Sequence, residues 1–104
     1  MKTILLTGAN GGIGSAIVQE LKILGHSVIE VDQSTTDVTR PEDILALAKK
    51  TPDPIDWIIC AHGFIDPETE LEKQRTEDIE MTFRVNIISL FYIAQLFLKR
   101  ITTG

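Results

Sequence analysis

The sequence predicts an α/β domain in which helices flank a parallel β-sheet. Three observations carry this reading. The 104 residues contain short, mostly apolar runs near 3–7, 27–32 and 56–61. Stretches with apolar residues at helical spacing separate the runs, and a dense glycine cluster joins the first run to the first helix. A run without polar alternation reads as a strand covered on both faces, as in parallel sheets. Parallel pairing in turn requires a crossover connection, usually a helix.

Residues 3–7, Thr-Ile-Leu-Leu-Thr, are the first expected strand. Ile13, Ala16, Ile17, Leu21 and Leu24 then recur with a helical period, and Gly25 stands where a helix stop belongs. Residues 27–32, Ser-Val-Ile-Glu-Val-Asp, form a second strand ending on an acid. Thr39-Arg40-Pro41-Glu42 reads as a helix start: Thr39 as cap, Pro41 in the first turn, Glu42 at capping-box spacing. Ile44, Leu45, Leu47 and Ala48 supply that helix's apolar face, and Lys49 and Lys50 suit its C-terminal dipole. Thr51-Pro52-Asp53-Pro54 ends it. Residues 56–61 form a third buried strand that includes Cys60, and 64–75 form a polar loop with some helical character. From Thr76 one long helix is expected, with Glu77, Asp78 and Glu80 at its positive end. Ile79, Phe83, Ile87, Leu90, Phe91, Ala94 and Leu98 mark its expected buried side, and Lys99 and Arg100 close it. A short strand near Thr36–Val38 is conceivable, but the link from Asp32 to Asp37 is too short for a helical crossover.

Composition narrows the function classes. Lys plus Arg number 10 and Asp plus Glu 15, a net charge of −5. That balance argues against nucleic acid or an anionic membrane as partner. One cysteine makes no internal disulfide and fits a reducing, cytoplasmic setting. The N-terminal apolar stretch is too short for a signal peptide. The apolar run from Ile87 to Leu98, interrupted by Ser89 and Gln95, is too short to span a bilayer. No metal-ligand cluster is expected.

The glycine cluster carries the chemistry. Thr7-Gly8-Ala9-Asn10-Gly11-Gly12-Ile13-Gly14 follows a strand and opens a helix, the setting of a phosphate-binding turn. Gly8 permits a tight turn off the strand, Gly12 lets backbone N–H groups approach a pyrophosphate, and Gly14 lets the helix pack close. The helix N-terminus adds free donors and partial positive charge. Asp32, closing the second strand, can accept both hydroxyls of an adenine ribose and would repel a 2′-phosphate, so NAD is favoured over NADP. No Gly-Lys-Ser/Thr follows, which excludes a P-loop.

With these residues the chain resembles the N-terminal, cofactor-binding half of the short-chain dehydrogenase/reductase family. Its glycine turn is similar to that family's cofactor signature. Asp37-Val38-Thr39 resembles the element whose acid and following amide contact adenine. Ile59-Cys60-Ala61-His62-Gly63 stands at the Asn-Asn-Ala-Gly strand end, with Ala61 and Gly63 small enough for cofactor approach and His62 close to it. Asn86 matches the asparagine of the long interface helix, whose region holds a water of the family's proton relay. The resemblance implies a Rossmann-type sheet, the N-terminal half of a doubly wound fold, spanning 1–104 as one truncated NAD-binding domain. It also implies pairing of chains through the 77–100 helix or an open sheet edge, at the first or third strand.

The family's serine and Tyr-x-x-x-Lys have no counterpart. The one tyrosine, Tyr92, has Leu96 at the lysine position and sits in an apolar stretch. The expected function is therefore the NAD(H)-binding portion of an oxidoreductase, with hydride transfer between nicotinamide and a carbonyl or alcohol carbon in the parent, and no catalysis by 104 residues alone. Two alternatives stay open: a non-catalytic nucleotide-binding or oligomerisation module, and half of an extended-type sugar-nucleotide reductase or epimerase.

Overall fold

A computed structural model describes residues 1–101. Strands β1 (Thr3–Thr7), β2 (Ser27–Val31) and β3 (Trp57–Cys60) form one sheet in the order β2-β1-β3. Both pairings are parallel, with Leu5 opposite Ile29 on one side and Ile58 on the other. Helices α1 (Gly12–Ile23) and α2 (Pro41–Lys50) make the crossovers. The last helical stretch comprises α3 (Thr76–Phe83), a π-helical segment (Arg84–Ile88) and α4 (Ser89–Phe97), and a short 3-10 turn covers 98–100.

The central strand explains why two separate cores form. Successive side chains of a strand point to opposite faces, and Leu5 and Leu6 are both fully buried. Leu6 packs with Ala9 and Val18 under α1. Leu5 packs with Ile44 and Leu47 of α2 and with Ile93 and Phe97 of α4. The result is a helix–sheet–helix sandwich, with Ile4, Leu5 and Leu6 of β1 fully buried because both faces are covered. Truncating the fully buried Phe97 to Ala would cost about 3–5 kcal/mol.

Local chemistry sets the element ends. Gly25, at φ +88°, follows α1. Its N–H donates to Lys22 O, and that of His26 to Leu21 O, a Schellman close. Pro41 stands in the first turn of α2, but Thr39 is not the cap; Arg40 is, without a side-chain cap bond. Thr39 instead donates its N–H and hydroxyl to Asp37 Oδ1. Glu42 accepts from Arg40 Nε at 2.9 Å rather than closing a capping box. Arg100 closes more than its own helix, since its guanidinium donates to Ala48 O, Thr51 O and Asp53 Oδ1 around the end of α2.

Several sequence expectations shift. The strand near Thr36–Val38 does not form, and the segment is a looped turn. The open edges of the sheet are β2 and β3, because β1 is central. Cys60 is exposed at the edge of β3 rather than buried. Ile13 and Leu24 are largely exposed, and α1 buries Gly14 and Val18 in their place. On α2, Leu45 faces out. The long helix is broken by its π-helical turn, and the face it buries carries Ser89, Ile93 and Phe97. The expected stripe lies elsewhere: Phe83, Phe91 and Leu98 are 53, 65 and 66% exposed. The stripe misses the buried face along its whole length, since Ile79 and Phe83 are already exposed ahead of the π-helical turn, and a 3.6-residue period leads from Ile79 to Ile93 and Phe97 rather than to Phe91 and Leu98. Taken whole, Thr76–Arg100 is long and apolar enough to cross a membrane by length and composition, unlike its inner apolar run. Here one of its sides packs against α2 and the sheet.

Ile101 pairs in parallel with Ile55, just ahead of β3 in the chain.

Candidate functional site

The C-terminal ends of the three parallel strands open into a cleft of about 650 Å³, the place where open α/β sheets bind ligands. The glycine turn forms one wall. At Gly8 (φ +69°) a Cβ would stand 2.6 Å from the Ala61 carbonyl carbon and the His62 nitrogen. At Gly14 it would stand 1.9 Å from Gly8 O, so close packing of α1 on the turn forbids any side chain there. Gly12 differs, because a Cβ there would meet nothing within 4 Å. The protein's own atoms do not require a glycine there.

The start of α1 is prepared for an anion. Gly11 caps it without a side chain, and its first turn carries no acid, whereas α2 and α3 open with Glu42 and Asp43, and Glu77 and Asp78. The first N–H groups of a helix lack intrahelical partners, and here no carboxylate competes for them. A pyrophosphate fits this cradle.

Two acids line the same cleft. Asp32 follows β2 and accepts from the Ser34 N–H at 2.8 Å and from the Ser34 hydroxyl, both through Oδ1. These bonds hold its carboxyl below the usual range, the hydroxyl contributing most, and Oδ2 stays open for a ligand. Asp37 is held low by the Thr39 hydroxyl and then the Thr39 N–H. Its own N–H donates to Asp43 Oδ2. Among the described residues no Lys or Arg lines the cleft.

At the third strand end, His62 is clamped on both ring nitrogens. Nδ1 lies 2.6 Å from Thr7 Oγ1, and Nε2 lies 2.8 Å from Ser89 Oγ. Burial lowers its pKa, and the Val85 carbonyl partly opposes this. Burial also pushes the Cys60 thiol up, against a smaller opposing effect from Thr7. That favours the thiol form of this exposed cysteine. Asn86 sits in the π-helical segment with its amide committed to Phe64: Oδ1 accepts from the Phe64 N–H and Nδ2 donates to the Phe64 carbonyl. Among the described residues no group of three His, Cys, Asp or Glu side chains could hold a metal.

Of the residues singled out from sequence, Thr7, Gly8, Asn10, Gly11, Asp32, Asp37, Val38, Ala61, His62 and Gly63 line the cleft. Gly12, Ile13, Gly14 and Asn86 do not. Gly14 acts through packing, Ile13 is 75% exposed, and Asn86 braces the loop. Sequence reading missed Thr36, which is buried in the wall, and Phe64, Met81 and Val85 on the side toward the helix. It also missed Ser89 as the partner of His62. A lone serine breaking an apolar helical run was the available signal.

Comparison with known proteins agrees with this geometry. The NAD dependent epimerase/dehydratase family model matches residues 4–98. A coniferyl-alcohol dehydrogenase of Pseudomonas sp. (strain HR199 / DSM 7063) is 27% identical over 99% of this chain and 41% of its own length. The solved structure of the protein lin1944 from Listeria innocua superposes with a TM-score of 0.86 at 22% identity, covering 98% of this chain and 52% of its own. A small-chain dehydrogenase in complex with NADPH superposes with a TM-score of 0.88 at 14% identity, covering 99% and 47%. At these identities the structural likeness is one of fold. The chain spans about half the length of these relatives or less.

Proposed function

The chain belongs to the NAD dependent epimerase/dehydratase family, and on that premise we propose that residues 1–104 are the NAD(H)-binding portion of a short-chain dehydrogenase/reductase-type oxidoreductase. A nicotinamide dinucleotide is the cofactor class of the family. The choice of NAD over NADP rests on one observation: Asp32 and Asp37 line the cleft while no Lys or Arg does. The nearest basic side chain in sequence, Arg40, is turned to Glu42. A 2′-phosphate would meet negative charge with no counter-ion, whereas ribose hydroxyls would find an acceptor in Asp32 Oδ2. In this reading the first turn of α1 takes the pyrophosphate, the Asp37–Val38 turn faces the adenine, and Ala61 and Gly63 leave room beside the third strand.

When bound, the dinucleotide supplies hydride chemistry toward a carbonyl or alcohol carbon. This chain's own residues bind and orient it. Tyr92 has Leu96 at the lysine position, so the role proposed for residues 1–104 is to bind and orient the cofactor. The exposed face of α4 supports self-association, and the acidic balance supports a soluble, cytoplasmic protein with neither a nucleic-acid nor a membrane partner.

Calorimetric titration with NADH and NADPH tests the reading. NADH should bind more tightly than NADPH. No heat with either at millimolar concentration would overturn it. A second reading, half of an extended-type reductase or epimerase, draws on the name of the matching family. Sugar-nucleotide binding by the longer protein would favour it.

A further inference from the structure

His62 stands where the resemblance places a small alanine, and its ring joins two elements that share no backbone hydrogen bond. We propose that His62 is a positioning residue: a neutral, Nε2-protonated imidazole that latches the C-terminal end of β1 to Ser89 at the start of α4 and so holds the cleft in its cofactor-accepting shape. The proposal rests on the dinucleotide reading above for its functional half only.

Hydrogen counting fixes the tautomer. Ser89 Oγ donates its single hydrogen to Val85 O at 2.6 Å. Toward His62 Nε2 it can therefore only accept, so Nε2 carries the ring hydrogen. Nδ1 is then bare and accepts from the Thr7 hydroxyl. The chain runs one way, from Thr7 to His62 to Ser89 to the Val85 carbonyl, with each hydrogen used once. Both ring nitrogens are spent on protein, so His62 does not meet a ligand through them.

A second proton breaks this order. It would sit on Nδ1 and face the Thr7 hydroxyl hydrogen. Thr7 is 1% exposed, so its hydroxyl would have to turn toward the Cys60 thiol, a weak acceptor. The groups facing the ring are the Thr7 hydroxyl from β1, and the Val85 carbonyl and Ser89 hydroxyl from the helix. Cys60, on β3, is the titratable neighbour and is held neutral. Asp32 and Asp37 line the same cleft but are not among the groups that shift His62. No charge compensates a cationic ring, and burial already disfavours it.

The sign follows. A histidine with a depressed folded pKa contributes stability above its ordinary value of 6.5 and loses it as pH falls toward the folded value. Cofactor affinity should fall lower still, as pH passes through the folded value and the ring itself takes up its proton.

The test uses the full chain labelled with nitrogen-15. Long-range proton–nitrogen correlation spectra read the tautomer and midpoint of each imidazole, and His62→Asn and His26→Gln variants assign the two signals independently. The expected result is an Nε2–H tautomer for His62 that stays neutral below 6.5. An Nδ1–H tautomer, or a cation at neutral pH, overturns the latch. In parallel, NADH affinity is measured against pH. The wild type should weaken by about threefold or more through the His62 midpoint. His62→Gln, which keeps a donor toward Ser89 but does not titrate, should show a flat profile, and His26→Gln should keep the wild-type one. A flat wild-type profile with measurable binding overturns the functional half. No NADH binding at any pH, with the Nε2–H signal present, overturns the dinucleotide reading and supports the latch.

Discussion

The side chain of Asn86 pairs with the backbone of Phe64 as a neighbouring strand would. Its Oδ1 accepts the Phe64 N–H at 2.8 Å, and its Nδ2 donates to the Phe64 carbonyl at 2.9 Å. Residues 22 apart in sequence are thereby joined, and the loop leaving the third strand gains the partners its own sequence lacks. The π-helical turn at Arg84–Ile88 belongs to the same arrangement, because Asn86 and Val85 both lie within it. Wide turns of this kind recur where a helix must aim side chains at a functional site.

Replacing Asn86 with Ala should leave both Phe64 backbone groups unpaired. A loss of about 1–3 kcal/mol is expected, read by urea unfolding. Asn86→Asp keeps the acceptor and loses the donor, so it should fall between wild type and Ala at neutral pH. An Ala variant as stable as wild type would show that water replaces the clamp.

Two glycines of one turn should fail in different ways. Gly14→Ala places a carbon 1.9 Å from Gly8 O, so the turn must move and the melting temperature should drop. Gly12→Ala adds a carbon in open space and should fold normally. It should nonetheless weaken NADH by about tenfold or more, since the added methyl occupies the cofactor's place. Thermal melting beside NADH titration separates the two. A Gly12→Ala chain that binds as well as wild type would remove the pyrophosphate from that position.

Cofactor choice should follow Asp32. Asp32→Ala removes the ribose acceptor and the negative charge together, so NADH should weaken while NADPH improves, shifting their affinity ratio by about tenfold. The ratio of the two dissociation constants in one buffer is the measurement, and an unchanged ratio would place the discrimination elsewhere.

Self-association should depend on the outer side of α4. Phe91 and Leu98 are 65 and 66% exposed beside the exposed Ile87, an apolar patch that favours a covering partner. Light scattering should show an oligomer for the wild type, and Phe91→Glu should shift it to the monomer mass without lowering the melting temperature. A wild-type monomer at high concentration would count against this surface.

The sequence by itself determined the layered α/β plan, the three strands and the position of the glycine turn. Each rests on local constraints: continuous apolar runs, glycines that sterics require, and helix stops such as Gly25. Only the tertiary structure decided which helix face is inside. Apolar residues lie on several sides of 76–100, and packing against α2 and the sheet buries Ile93 and Phe97 and leaves Phe91 out. Only the fold brought Thr7, His62 and Ser89 into one hydrogen-bonded chain, and set Asn86 against Phe64. Such pairs join residues distant in sequence through side chains that leave no periodic trace. The same distinction divides the glycines: Gly8 and Gly14 are required by the protein's own atoms, whereas a side chain at Gly12 would meet none of them.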